Sequence, residues 1–255
     1  MDAAALARRI EELLPADAAI GRPLIVVEKT SSTADLAWAS DAPAGAAFLA
    51  LSQTRGRGRR GHNWQGGTGV SVMLSVRWPA RAAAQLRLVA AATLAATDAA
   101  RGFGAPCRVK WPNDVLVDGA KLAGILVEDR RDPMAVISIG LNVGQEGGDF
   151  PARLRGAATS LALVAPPGPA LGDAAVSCLE ALAARLAQAA DAPNALDAQF
   201  LDAMALGADP VRLVAGGGEV VGILGATPLD GPWAIDTADG AVLVEPGHMT
   251  ALDPA

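Results

Sequence analysis

The sequence predicts an α+β protein built from a helix-flanked β unit and a small all-β tail, and three observations carry this. β-branched runs with period-2 alternation are interspersed with alanine-rich segments of helical character up to about Leu206. A Pro/Gly-rich stretch, APPGPALG over 165–172, separates a dense β region from two alanine-rich helices. From about Pro210 the texture changes to short strands and turns, VRLVA, EVVGILGA, PWAIDT and AVLVE. The chain is therefore expected to divide into a unit over 1–207 and a second over 208–255. The tail is too small to hold a core alone and is expected to dock as a little β-barrel on the larger unit.

The elements follow in order. MDAAALARRIEELLP is an amphipathic helix pattern, and LIVVEKT over 24–30 is a strand. Thr30, Ser31, Ser32 and Thr33 bring hydroxyls to the start of the helix-like ADLAWAS, where they cap the helix or face a ligand. Strand AFLALSQ over 47–53 runs into a glycine-rich loop, and VSVMLSVRW over 70–78 reads as half-buried, with Val70, Val72, Leu74 and Val76 on one face. A helix over 82–101 ends at Gly102 and Gly104. Strands at 107–111, 114–117, 121–129 and 135–143 are separated by PN, DG and RRDP turns, with Asp118-Gly119 a hairpin signal.

Composition narrows the function. With 255 residues, 51% of them hydrophobic, the chain has material for a sizeable core, and no apolar run approaches the roughly 20 residues of a bilayer span. It reads as cytosolic. Cys107 and Cys178 have neither disulfide nor zinc context, and two histidines, His62 and His248, make a histidine-based metal centre improbable. A net charge of -6 argues against broad nucleic-acid binding.

Against that acidity stands QTRGRGRRGHNWQGGTG over 53–69, with four arginines among glycines. Gly56, Gly58 and Gly61 satisfy GxGxxG by letter, but another strand follows where a dinucleotide fold needs a helix N-terminus. The loop offers forked donors suited to carboxylate or phosphate on a backbone that can approach a ligand closely; a solvated nucleic-acid tag is the competing reading of the loop alone. In KWPNDVLVDGAKLAGILVE, Pro112 and Asn113 make a tight turn that brings Trp111, Asn113 and Asp114 to a sheet edge. Lys121 opens an apolar strand, and Gly124 marks a close approach; such a lysine by default snorkels to water, but facing an arginine loop it suits a phosphate. Asn142 closes an apolar strand, either satisfying local backbone or offering its amide to a base or sugar.

Taken together, SST, QTRGRGRRGHNW, KWPND, KLAGILVE and GLN, in that order, resemble the biotin protein ligase family over roughly residues 26–143. The resemblance implies a mixed-sheet catalytic domain of the biotin/lipoate ligase type and an SH3-like C-terminal domain. It implies biotinyl-5′-AMP formation from biotin and ATP with Mg²⁺, and transfer to a lysine of a biotin carboxyl carrier protein of an acyl-CoA carboxylase. Arg57, Arg59 and Lys121 are the implied catalytic cations. Ser32, Thr33, Gln53, Gly56, Arg57, Lys121, Gly124 and Leu126, with Ile125, are assigned to biotin. Arg57, Gly58, Arg59, Trp64, Asn113, Lys121 and Asn142 are assigned to the nucleotide, with Asp114 beside them; no metal ligands are assigned.

Two positions depart from the family pattern. His62 stands where a further arginine is usual, removing a permanent charge from the loop, and Ala34 stands where an asparagine is common. About twenty residues precede the first strand, too few for the winged-helix domain of repressor members, so operator binding is not expected. A monomer or homodimer is expected, without DNA or membrane as partner. A lipoate protein ligase is the nearest alternative, and a non-catalytic biotin- or nucleic-acid-binding module the alternative of another class; GRGRRG together with KWPND favours biotin.

Overall fold

The computed structural model describes every residue except 82, 83, 131, 132 and 207. The first two residues of the helix expected over 82–101, the middle of the RRDP turn and the residue expected to close the first unit lie outside the described residues.

Helix α1 (Ala3–Leu13) is capped by the Asp2 carboxylate and buries Ala3, Leu6 and Ile10. Strand β1 (Leu24–Thr30) leads into α2 (Thr33–Trp38), whose N-cap is Ser32, accepting from the Ala34 amide at 3.3 Å. Then follow β2 (Ala47–Gln53), β3 (Ser71–Pro79), α3 (Gln85–Gly102), β4 (Arg108–Lys110), β5 (Asp114–Val117), β6 (Ala120–Asp129) and β7 (Met134–Asn142). Helices α4 (Leu161–Val164), α5 (Leu171–Asp191) and α6 (Pro193–Ala203) complete the larger unit. The β5–β6 hairpin turns at Asp118 and Gly119, with φ of 48° and 82°; both central residues are left-handed, as a two-residue turn joining right-twisted strands requires.

The sheet runs β1-β2-β3-β7-β6-β5-β4. β1 and β2 are parallel and the remaining neighbours antiparallel, so the sheet is mixed as expected. Period-2 alternation sorts its residues onto two faces. Leu49, Val72, Leu74, Val76, Ile137, Ile139 and Leu141 join α1, α3 and α5 in the main core, while Phe48 and Val136 pack under Ala34 and Ala37 of α2. Strand β3 is buried over its first six residues and not on alternate ones. The half-buried expectation fails here because β3 lies mid-sheet with layers on both faces, and one strand's alternation does not reveal what covers its second face.

The tail holds β8 (Val211–Ala215), β9 (Gly218–Leu224), β10 (Trp233–Thr237), β11 (Gly240–Val244) and β12 (Met249–Pro254) in one antiparallel sheet, ordered β11-β10-β9-β8-β12. No β11–β12 pairing closes it into a barrel among the described residues. It does dock as expected: Val211, Leu213, Trp233, Ile235 and Leu252 join the main core cluster. The Trp233 ring meets Trp111 edge-on at 4.9 Å, and Trp111 in turn lies 6.1 Å from Phe200 of α6. Beside this stack Arg87 of α3 makes a forked pair with Asp197 of α6 at 2.9 and 2.8 Å and reaches Asp230 at 3.1 Å; Asp197 also accepts from the Leu229 amide. These carboxylates raise the Arg87 pKa, their hydrogen bonds outweighing burial. No described helix is long and apolar enough to cross a membrane.

Candidate active site

A cavity of about 280 Å³ opens on the α2 face of the sheet, opposite the α3/α5 layer. Most of the residues singled out from the sequence converge on it: Ser32, Thr33, Gln53, Arg57, Gly58, Arg59, Trp64, Asn113, Asp114, Lys121, Gly124, Ile125 and Leu126.

Lys121 reaches the cavity through an irregularity in the sheet. In β6 the alternation puts Ala123, Ile125 and Val127 in the core and leaves Gly124, Leu126 and Glu128 less buried on the cavity face. Unbroken alternation would give Lys121 the core face of Ala123. The register shifts between Val115 and Leu116, where Leu116 pairs with Lys121 and Val115 with Ala123, leaving Leu122 unmatched. The extra residue turns Lys121 to the Gly124 side. Its Nζ lies 2.5 Å from Asp114 Oδ1 and 5.9 Å from the Trp64 ring centroid.

The arginine loop folds down over the sheet as a small closed structure. Gly58 N donates to His62 O at 2.8 Å and Trp64 N to Gly56 O at 3.0 Å, around a short 3₁₀ turn, Arg59–Gly61, in which Arg60 adopts φ 53°. Trp64 anchors it. Gly124 and Gly140 are direct cross-strand partners, and a Cβ on Gly140 would lie 2.4 Å from the indole, one on Gly124 3.3 Å from it. A paired-glycine floor thus admits the ring, and Gly124 makes room for the Lys121 stem as well. The close approach expected at Gly124 is therefore made by the protein's own side chains. Gly56 is buried beneath the Trp64 carbonyl, outside the cavity lining, where a Cβ would meet that oxygen at 2.5 Å.

Each cation has a partner already in place. Arg57 Nη1 lies 3.0 Å from Asp35 Oδ1, and its Nη2 lies 2.9 Å from Glu128 Oε2. Arg59 instead meets a neutral amide, donating to Asn113 Oδ1 at 3.4 Å. Burial lowers the Arg59 pKa, the neighbouring Arg60 charge lowers it further, and Asp114 opposes both. Asn113 is held by its own Nδ2, which donates to the Ile125 carbonyl at 2.5 Å. At the other end Gln53 Oε1 accepts from Thr33 N and Oγ1 at 2.7 and 3.2 Å, and Ser32 stands at the head of α2.

The expectation for Asn142 needs correction and that for Trp111 qualification. Asn142 does not line the cavity: its Nδ2 donates to Thr159 O at 2.9 Å and its Oδ1 accepts from Gln145 at 2.9 Å, so both ends of the amide are taken up in holding the following loop. Trp111 does follow the edge strand β4, but that edge is not open: the residue is 6% exposed, packed between Phe200 and Trp233 of the C-terminal sheet. Sequence reasoning passed over Gly140, Ser138 and Thr250, all of which line the cavity. Gly140, a glycine inside an apolar strand, carried the same signal that was read at Gly124; Thr250 belongs to the C-terminal sheet, and nothing local marks it.

The glycine floor gives a direct prediction. Gly140→Ala is expected to cost about 1–3 kcal/mol in urea denaturation, as other overpacked sites do. Combined with Trp64→Ala the two losses should be strongly non-additive, since removing the indole removes the clash. Additive losses would mean that the ring does not rest on this glycine.

Comparison with known proteins agrees with this geometry. Residues 25–144 match the Biotin/lipoate A/B protein ligase family. The chain is 39% identical over 145 residues to the "Bifunctional ligase/repressor BirA" of Bacillus spizizenii, covering 53% of this chain and 44% of that protein, so this chain spans less than half of that relative's length. It is 35% identical over 245 residues to a "Biotin--[acetyl-CoA-carboxylase] ligase" of Mycobacterium tuberculosis, covering 91% of this chain and 90% of that one. The fold superposes on a biotin protein ligase from Aquifex aeolicus in complex with biotin and ATP with a TM-score of 0.79 at 24% identity, over 91% of this chain and 98% of that chain. With nine-tenths of both chains aligned to the mycobacterial ligase at 35% identity, the chain belongs to the biotin protein ligase family.

Proposed function

We propose that the protein is an ATP-dependent biotin protein ligase that forms biotinyl-5′-AMP and transfers biotin to a lysine of a biotin carboxyl carrier protein of an acyl-CoA carboxylase, in the cytoplasm. The observation that carries this reading is the polarity of the cavity. Its wall combines three cations, Arg57, Arg59 and Lys121, with the uncharged Ser32, Thr33, Gln53 and Leu126.

Two anions must meet for the reaction to occur. A biotin carboxylate oxygen bonds to the α-phosphorus of ATP as the bond to the β-phosphate oxygen breaks and pyrophosphate leaves; the carrier's lysine amine then attacks the acyl carbon and AMP leaves. Cations fixed at the point where charge develops lower the first barrier without reorganising. Arg57 and Arg59 are assigned to the carboxylate and α-phosphate, and Lys121 to the oxygens shared between them. In the free protein Asp35, Glu128 and Asp114 hold Arg57 and Lys121 in place, and the substrate anions take over these pairings. Ser32, Thr33 and Gln53 are assigned to the polar ring of biotin, with Leu126 and Ile125 along its apolar part. Asn113 orients Arg59 from the nucleotide side, Gly58 leaves room there, and the Trp64-anchored loop shields the acyl adenylate from water.

Mg²⁺ fits this donor set in one way. Among the described residues no three His, Cys, Asp or Glu side chains cluster. Asp114 is the carboxylate lining the cavity, and Mg²⁺ commonly uses one or two carboxylates plus substrate phosphates and water. Asp114 would hold the ion, which neutralises phosphate charge when bound. The same reading divides the chain into a catalytic unit over 1–207 and an SH3-like unit over 208–255, active as a monomer or homodimer without a DNA partner.

The test is biotin-dependent exchange of pyrophosphate into ATP with Mg²⁺ present and lipoate as the competing acid. Exchange with biotin and not with lipoate is expected; exchange with neither removes the ligase assignment, and exchange with lipoate alone reassigns the substrate.

A further inference from the structure

Beside the cavity, three hydroxyls and one amide form a chain across the sheet. Thr33 Oγ1 and Ser75 Oγ are 2.8 Å apart, and Ser75 Oγ and Ser138 Oγ are 2.8 Å apart, Ser75 and Ser138 being direct cross-strand partners on β3 and β7. Ser75 is fully buried, whereas Ser138 is half-buried and lines the cavity. At the far end Gln53 Oε1 lies 3.2 Å from Thr33 Oγ1 and 2.7 Å from the Thr33 amide nitrogen.

The protons in this chain can be placed by valence alone. The Thr33 N–H must find an acceptor, so the Gln53 amide presents its oxygen there and its NH₂ away. An amide oxygen brings no proton, so Thr33 Oγ1 donates to it. Having spent its only proton, Thr33 accepts from Ser75, and Ser75 by the same logic accepts from Ser138. Every bond is then made once, and the direction is set from the Gln53 end. What faces the cavity is a Ser138 oxygen whose proton is committed inward and whose remaining lone pair is an acceptor, while the Gln53 NH₂ lies toward Gly56.

We propose that Ser138 is a specificity-determining residue that accepts a ring N–H of the substrate, and that Ser75 is a positioning residue that keeps Ser138 an acceptor. This deepens the biotin assignment and rests on it. A cyclic urea offers an N–H for Ser138 and a carbonyl oxygen besides. A dithiolane ring of carbon and sulfur offers neither, so the acid it carries would leave the committed acceptor unpaired in a partly desolvated wall. Selection is then by hydrogen-bond polarity, which rejects a misfit more strongly than the loss of apolar area does.

The experiment compares KM for biotin with KM for each of the two biotins mono-methylated on a ureido nitrogen, using pyrophosphate exchange. The ratio does not depend on the folded fraction of a variant. The unaltered protein is expected to disfavour one methylated isomer by about five- to tenfold or more, the worth of one hydrogen bond. Ser138→Ala should bring that ratio close to one by raising KM for biotin, with kcat within about twofold for the intact reaction. Ser75→Ala, which touches no ligand, should move the ratio the same way because Ser138 is then free to turn its proton outward, and Ser75→Thr should restore it. If biotin supports exchange but Ser138→Ala leaves the ratio unchanged, the acceptor role is wrong and the ligase assignment stands. A ratio lost in Ser138→Ala but kept in Ser75→Ala overturns the relay. No biotin-dependent exchange in the unaltered protein overturns both assignments.

Discussion

Replacing Lys121 by alanine is expected to lower the rate of adenylate formation by about a hundred- to a thousandfold, the usual consequence of removing one preorganised electrostatic donor. The effect should fall on the single-turnover rate and only weakly on biotin binding, because the ammonium acts where charge develops between carboxylate and phosphate. Its removal does a second kind of damage: Asp114, 2.5 Å away, loses its counter-charge and is left facing the incoming triphosphate. If that carboxylate holds Mg²⁺, Asp114→Asn alone should also lower activity, and adding it to Lys121→Ala should recover none of the loss. Since Lys121 is partly exposed, the urea midpoint should barely move. Near-normal adenylation in a folded Lys121→Ala protein would show that the positive charge at this point is not used.

Trp233→Ala is expected to have the largest effect on stability, about 3–5 kcal/mol by urea denaturation, the range for deleting a large buried aromatic. The ring is 0% exposed, meets Trp111 edge-on, and its Nε1 donates to the Pro228 carbonyl at 3.0 Å. Trp111 directly precedes Pro112, Asn113 and Asp114, which line the cavity, and Asn113 receives the Arg59 donor. A cavity opened behind Trp111 therefore loosens the turn that aims Asn113. Adenylation is expected to fall even under conditions where the variant remains folded. A loss of under about 1 kcal/mol, with an unchanged dependence on urea, would mean that the C-terminal sheet is an appendage and not part of a shared core.

The legible part of the site was the set of ionic and hydroxyl groups. Arg57, Arg59 and Lys121 stood out because charge placed inside apolar strands and glycine loops is costly without a partner, and all three do reach one cavity. Asn142 was misplaced because a strand-end amide has the same appearance whether it serves a ligand or a loop; only the positions of Thr159 and Gln145 distinguish them. Ser75 and Ser138 lie 63 residues apart, and only the β3–β7 register brings them opposite each other.

Local chemistry settled what is local. The Asp118-Gly119 hairpin, the Ser32 cap on α2 and the alternation that splits the sheet into two faces follow from backbone preference and side-chain period, which act within a few residues. Tertiary structure decided which face each group serves. A single unmatched residue at Leu122 turns Lys121 from the core side to the cavity, the Gly124–Gly140 pair exists only once β6 and β7 are in register, and Trp111 is buried because α6 and a sheet from the far end of the chain pack on it. Period 2 makes this unavoidable: one residue of register reverses every side chain beyond it, and register is set by packing between strands, a property that no single segment contains.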